Sequence, residues 1–122
     1  MANSNHPITV QEIFQKVEKG IIKYPERVTQ VNAVYLFKIS GDDGGTFHLN
    51  LRKNPGISFE EKPADCILEI RDRDFIKLYK GIIQGFKAML SGKLKVKGDL
   101  KLATHLNDIF RSTKSEHQSP SE

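Results

Sequence analysis

The order of apolar and polar residues divides the first half of the chain into one helical and two extended segments. Residues 9–22 predict an amphipathic helix that begins with the capping-box pair Thr9 and Glu12. Its apolar face is formed by Val10, Ile13, Phe14, Val17 and Ile21. Residues 33–40 and 46–52 then alternate around a Gly/Asp turn, which predicts a β-hairpin with one dry and one wet face.

Two further strands and a second helix are predicted in the middle of the chain. Residues 57–61 predict a short edge strand, and residues 65–70 predict a strand with Cys66 on its inner side. Asp72 can cap the helix that follows, and Gly81 interrupts or ends that helix. The shared apolar face of this helix is Phe75, Leu78, Tyr79 and Ile82. Because the alternating strands have one apolar side, the pattern predicts helices on one face of a single sheet.

The end of the chain predicts a last strand with three regularly spaced lysines, followed by a last helix. Lys93, Lys95 and Lys97 alternate with aliphatic residues, so they are most simply the solvent side of a strand. Asp99 is the expected cap of the last helix. The apolar positions of that helix are Leu102, Ala103, Leu106, Ile109 and Phe110.

Length and composition restrict the class of protein. A chain of 122 residues is expected to be one domain, with tails at residues 1–8 and 112–122. Its single cysteine excludes an internal disulfide and fits a reducing compartment. The sequence shows no secretory signal, no apolar run of about 18 residues and no C-terminal peroxisomal tripeptide, which predicts a cytoplasmic protein without excluding the peroxisome.

Charge and candidate chemistry point away from nucleic acid and from catalysis. The net charge of +4 favours anionic surfaces only weakly, and no aromatic-interleaved basic strand accompanies it. His48 and His105 are expected at the surface, and no histidine has metal-site spacing. Cys66 is expected to be a buried structural thiol, and Asp72 with Asp74 is explained by helix capping and the helix dipole. We therefore expect no catalytic residue, no metal and no cofactor.

Three stretches resemble, in their order, the sterol carrier protein 2 family of lipid-transfer domains. They are "VNAVYLFKISGDDGGTFHLNLR", "ADCILEIRDRDFIKLYKG" and, most specifically, "SGKLKVKGDLKLATHL". The resemblance covers residues 9–111. The family commonly has a proline in the linker after the helix glycine, whereas residues 82–91 contain none. That departure leaves the conformation of this stretch, and the width of the pocket entrance, open.

The resemblance implies an α+β fold with a single mixed five-stranded sheet in the order 3-2-1-4-5. Helices would cover one face, with an apolar tunnel between the layers. It also implies binding and transfer of fatty acids, fatty acyl-coenzyme A, sterols or phospholipids without catalysis. We further expect the protein to be a monomer. A filled core would instead make the same fold an accessory protein-interaction domain. A third interpretation is an enzyme that acts on an acyl thioester, but the sequence offers no general base or nucleophile for that reaction.

Thirteen residues are candidates for the lipid site that the resemblance implies. The expected apolar wall is Phe75, Leu78, Ile82, Phe86, Met89, Leu90, Leu102, Leu106, Ile109 and Phe110. Lys23, Arg27 and Gln30 lie where some family members hold a fatty-acid carboxylate, unless they are solvated loop residues. The three strand lysines would bias transient contact with anionic membranes.

Overall fold

The sheet of the computed structural model, which describes residues 7–106, 109 and 110, has the predicted order. Its strands are β1 (Val34–Ser40), β2 (Gly45–Asn50), β3 (Gly56–Ser58), β4 (Cys66–Arg71) and β5 (Leu94–Gly98). The order is β3-β2-β1-β4-β5, and the β1–β4 pair is parallel while the other pairs are antiparallel. The predicted mixed five-stranded sheet is therefore confirmed. The two predicted tails lie almost entirely outside the described residues.

Five helices belong to the described part of the chain. They are α1 (Val10–Lys23), α2 (Pro25–Thr29), α3 (Asp72–Lys80), α4 (Gly85–Leu90) and α5 (Leu100–Thr104). The capping box of α1 is present, because the Glu12 N–H donates to Thr9 Oγ1 and the Thr9 N–H donates to Glu12 Oε1. The sequence did not predict α2, in which Pro25 begins a helix as well as following one. No helix in the described ranges is long and apolar enough to cross a bilayer.

Aromatic rings fill the layer between helices and sheet. The Phe14 ring of α1 stacks on Phe47 of β2 with centroids 4.1 Å apart, and on Phe75 of α3 at 5.3 Å. Phe75 also meets Phe110 edge to face at 5.8 Å. Offset and edge-to-face pairs of this kind add to the stabilisation from burial alone. The apolar tunnel itself stays a prediction.

The outer face of the sheet is less exposed to solvent than its sequence pattern predicts. His48, expected at the surface, is only 8% exposed, and its Nε2 lies 3.0 Å from the Pro63 carbonyl oxygen. Leu36, its cross-strand partner on β1, is 1% exposed. The cause is topological, since β3 is at one edge and β4 lies beyond β1. The connection between them must cross the sheet, and the Lys38–Glu61 ion pair of 2.9 Å marks part of its path.

Two aspartates, Asp43 after β1 and Asp72 after β4, connect the hairpin turn to the helices α1 and α3. The prediction that Asp72 caps α3 is wrong, because Asp72 is its first residue and Arg71 stands in the cap position. The Asp72 carboxylate accepts the Arg73 N–H at 2.8 Å and the Asp43 N–H at 3.0 Å, while Asp43 Oδ2 accepts the Val10 N–H at 2.8 Å. The hairpin turn is thereby tied to the first turns of α1 and α3.

The remaining caps and the lysine strand are confirmed. Gly81 ends α3 with a φ of +81°, and the Lys101 N–H donates to Asp99 Oδ1 at 3.0 Å. In β5 the Leu94 side chain is buried, whereas Lys95 and Lys97 are exposed. The lysines of this strand therefore lie on the side away from the apolar layer.

Candidate functional site

A cleft with a volume of about 420 Å³ lies between α2 and the C-terminal end of α5. Its lining residues are Arg27, Val28, Gln30, Val31, Leu102, His105 and Ile109. The volume falls within the range of about 300–1,000 Å³ usual for small-molecule sites. The lining comes from two parts of the chain that are separated by the entire sheet in sequence.

The cleft has an apolar floor and a polar rim. Val28 and Ile109 are each 2% exposed and form the floor, with the half-buried Val31 and Leu102 beside them. Arg27, Gln30 and His105 are exposed at the rim. A cavity built in this way can take up an apolar chain while a polar end group stays at the water-facing edge.

The junction of α1 and α2 positions the cation at the rim. The Tyr24 N–H donates to the Gly20 carbonyl at 2.8 Å and closes α1, and the Arg27 N–H donates to the Tyr24 carbonyl at 3.1 Å. The Arg27 guanidinium carbon lies 4.4 Å from the centroid of the Tyr24 ring, and Lys23 Nζ lies 5.7 Å from it. These cation–π contacts place two positive charges around one aromatic ring beside the cleft.

The opposite wall is tied to the sheet by one buried hydroxyl. Tyr35 of β1 donates its O–H to the Leu102 carbonyl oxygen at 2.8 Å. Burial raises the pKa of the Tyr35 phenol well above its ordinary value, and the nearby Cys66, Asp99 and Asp65 add to the rise. The phenol therefore stays a proton donor at physiological pH, and the start of α5 is held over the sheet.

Cys66 faces Tyr35 across the parallel β1–β4 pair. Its side chain is fully buried, and burial, with a smaller contribution from Asp99 and Asp65, raises the pKa of the thiol to about 11. A buried thiol of this kind is protonated and unreactive at neutral pH. Within the described ranges, no group of three or more His, Cys, Asp or Glu residues could hold a metal ion.

The predicted wall residues fall into four groups. Leu102 and Ile109 line the cleft together with two of the three predicted headgroup residues, Arg27 and Gln30. Met89 is half-buried against the core. The core itself contains Phe75, Leu78, Leu106 and Phe110, and the surface carries Ile82, Phe86 and Leu90.

Several residues of the cleft were missed from the sequence. Tyr24 beneath Arg27 carries a local signal, because an aromatic residue stands between two basic ones just before Pro25. Val28 and Val31 lie in the unpredicted helix α2 and the loop after it. His105 was correctly predicted to be exposed, but nothing in its local sequence relates it to Arg27.

A second hollow of about 560 Å³ lies on the outer face of the sheet and differs in chemistry. Lys38, Glu61, Glu69, Arg71, Lys93 and Lys95 contribute to its lining. Lys38 and Glu61 of this set form an ion pair, and the two buried apolar residues in the lining are Ile39 and Ile70, so charged side chains outnumber apolar ones there. The cleft is therefore the better candidate for an apolar ligand.

Comparison with protein families identifies one match over most of the chain. The model of the SCP-2 sterol transfer family matches residues 14–111. Hydroxysteroid dehydrogenase-like protein 2 of Pongo abelii is 37% identical over 104 residues, covering 83% of this chain and 24% of that protein. The human protein of the same name is 36% identical over the same length. The chain thus spans about a quarter of the length of these curated relatives.

Solved structures show the same fold at low sequence identity. Sterol carrier protein 2 from Yarrowia lipolytica, in its apo form, superposes with a TM-score of 0.76 and 23% identity, covering 84% of this chain and 89% of that one. Sterol carrier protein 2 from Aedes aegypti, in complex with palmitate, gives a TM-score of 0.70 and 24% identity. That alignment covers 88% of this chain and 98% of the mosquito chain.

Proposed function

Because the chain belongs to the SCP-2 sterol transfer family, we propose that it binds a lipid and transfers it between membranes without catalysis. The candidate ligands are fatty acids, fatty acyl-coenzyme A, sterols and phospholipids. The observation that carries the proposal is the cleft beside α2, whose buried valine and isoleucine floor meets a rim with Arg27. The palmitate bound by the mosquito protein supports a fatty acid as the first ligand to test.

The apolar chain of the ligand enters over Leu102 and Ile109 in this proposal. Behind them the buried side chains Phe75, Leu78, Leu106 and Phe110 form the expected inner wall. Each methylene removed from water contributes about 0.8 kcal/mol, so a long chain gains far more from entry than a headgroup contact can give. Entry requires these side chains to part, which is the origin of the proposed tunnel.

The headgroup stays at the rim, because an unpaired charge carried into the apolar layer would be costly. Arg27, held against the Tyr24 ring, can donate two parallel hydrogen bonds to a carboxylate or phosphate. Gln30 adds an amide donor at the same rim, and Lys23 a second positive charge close by. A fatty acid should therefore bind more tightly than its uncharged methyl ester.

The test compares Arg27→Ala with wild type for binding of palmitate and methyl palmitate by displacement of a fluorescent fatty acid. We expect palmitate affinity to fall about tenfold, as for the loss of one charge-assisted contact, and methyl palmitate affinity to stay unchanged. Arg73→Ala removes an exposed arginine outside the cleft and serves as the matched control. If Arg27→Ala keeps the wild-type ratio of affinities for palmitate and methyl palmitate, Arg27 does not bind the headgroup.

A second measurement separates this function from the protein-interaction alternative. Protein purified under native conditions is extracted with organic solvent, and the extract is analysed by mass spectrometry. Lipid in stoichiometric amount supports the proposal. An empty extract, together with no binding of the fluorescent fatty acid, would favour the interaction domain with a filled core.

Transfer also requires that the protein meet a membrane, and the strand lysines were expected to help. Lys97 lies 3.4 Å from Glu69, so its charge is partly compensated. Lys93 and Lys95 line the hollow on the outer face of the sheet together with Glu61 and Glu69. We propose that these lysines help to attract the protein, as a monomer, to anionic membranes.

A further inference from the structure

Large apolar side chains are exposed along one short stretch that contains α4. The exposed fraction is 65% for Ile82, 61% for Phe86 and 73% for Leu90. Phe86 and Leu90 are four residues apart in α4 and share one face. Ala88 lies on the opposite face and is 2% exposed. The helix therefore buries a small residue and directs two large ones into solvent, which is the reverse of the usual arrangement.

The same stretch contains the charge excess of the protein. Residues 80–101 include six lysines and one aspartate, a net charge of +5, whereas the whole chain carries +4. The rest of the chain is therefore almost neutral. All six lysines are exposed, and among the described residues only Lys97 of these six forms an ion pair. The other five lysine charges are therefore left without an ion pair within the described ranges.

The backbone places lysines at both ends of the exposed apolar residues. Lys80 ends α3 two residues before Ile82. Lys87 follows Phe86 within α4, and the Lys93 N–H donates to the Ala88 carbonyl at 2.9 Å at the end of that helix. We call Ile82, Phe86 and Leu90, with these three lysines, the α4 surface.

We propose that the α4 surface docks on bilayers that expose anionic lipid headgroups. The three apolar side chains enter the boundary between headgroups and acyl chains, and the lysines meet the phosphates, as in other interfacial amphipathic elements. Charge complementarity selects this occupant. A second copy of the chain would bring lysines against lysines, whereas an anionic leaflet neutralises them.

Docking there would bring the cleft close to the membrane. Gly85 of α4 approaches the Ala103 carbonyl of α5, and Leu102, the preceding residue of α5, lines the cleft. Only this link between docking and the cleft rests on the proposed lipid binding. The docking itself needs no ligand in the cleft.

The absence of tryptophan from the sequence allows a direct test. A single tryptophan is introduced as Phe86→Trp or, as the matched control, as Phe59→Trp. Phe59 is also an exposed phenylalanine, at 67%, but it is followed by Glu60 and Glu61. Emission is recorded with vesicles of phosphatidylcholine alone and of equal parts phosphatidylcholine and phosphatidylserine, with and without bromine on the acyl chains.

We expect Trp emission of the Phe86→Trp protein to shift to the blue and to be quenched by brominated chains in anionic vesicles only. The Phe59→Trp protein should bind the same vesicles without shift or quenching. Phe86→Ser should weaken vesicle binding about tenfold, since it removes one inserted aromatic side chain. Lys87→Gln should weaken it about fivefold at low salt, and that difference should fade as the Debye length shortens.

Three results would overturn the proposal. One is wild-type protein that does not bind anionic vesicles at low salt. Another is binding with no quenching in Phe86→Trp, or with equal quenching in Phe59→Trp. The third is concentration-dependent self-association, measured by sedimentation, that Phe86→Ser abolishes, because the α4 surface would then be an interface between copies. Palmitate binding measured on the same variants distinguishes failure of docking from failure of lipid binding.

Discussion

Replacing Gly98 by alanine should cost far more stability than the same replacement at Gly92, although the two glycines bracket β5. Both have positive φ, +96° at Gly98 and +83° at Gly92. An added Cβ at Gly92 would meet nothing within 4 Å, whereas at Gly98 it would overlap the backbone carbonyl oxygen of Asp65. The pair therefore separates the cost of an unfavourable φ from the cost of a backbone clash.

The magnitudes follow from these two terms. A side chain at positive φ costs roughly 1–2 kcal/mol, and both variants incur that cost. At Gly98 the end of the β4–β5 pair must also open, where Gly98 faces Cys66 and the Asp99 N–H donates to the Asp65 carbonyl at 3.0 Å. Losing that bond adds about 1 kcal/mol, and forced displacement of the backbone about 1 kcal/mol more. We expect roughly 1–2 kcal/mol for Gly92→Ala and roughly 3–4 kcal/mol for Gly98→Ala.

Urea unfolding followed by circular dichroism measures both free energies, with thermal unfolding as a second readout. For a domain of this size the midpoint temperature falls by about 4 °C per kcal/mol, so the drop should be about 4–8 °C for Gly92→Ala and at least about 12 °C for Gly98→Ala. Equal losses in the two variants would refute the reasoning, because the close approach at Asp65 would then contribute nothing.

Two further predictions concern titratable groups. The Asp72 carboxylate accepts hydrogen bonds from the Asp43 and Arg73 N–H groups, which lower its pKa. The stabilisation that the ionised carboxylate contributes is therefore complete above about pH 4 and is lost as the pH falls through the lowered pKa. The stability difference between wild type and Asp72→Asn should therefore narrow between neutral pH and about pH 3 in urea titrations; a constant difference would contradict this. Burial raises the pKa of the Cys66 thiol to about 11. Ellman's reagent at about pH 8 should accordingly label native protein at least a hundredfold more slowly than protein unfolded in urea, and equal rates would show the thiol to be accessible.

Local patterns predicted the elements whose stabilising contacts are themselves local. The capping box of α1, the alternation of β5 and the Asp99 cap each depend on residues within four positions of one another, and all three were predicted correctly. The helix α2 was missed because its five residues are too few to show a period. The order of the five strands was correct only because the chain resembles a family of known topology.

Periodicity failed where a distant segment decides what is covered. His48 sits on the polar side of an alternating strand, yet the connection from β3 to β4 crosses over it. Phe86 and Leu90 were expected in the apolar wall that the family resemblance implies, yet both are exposed, while Ala88 between them in α4 is buried. In each case the pattern shows which residues are apolar, but not which side of an element another part of the chain will cover.

The sequence by itself determined the capping box that begins α1, the alternation of the main strands, the basic character of residues 80–101 and the chemistry of the rim residues. Only the tertiary structure decided that Arg27 and Gln30 share a cleft with Leu102 and Ile109. It also decided that Tyr35 anchors the wall of that cleft. The physical reason is that hydrogen bonding and side-chain periodicity act over a few residues, whereas a cleft forms where segments more than 70 positions apart pack together.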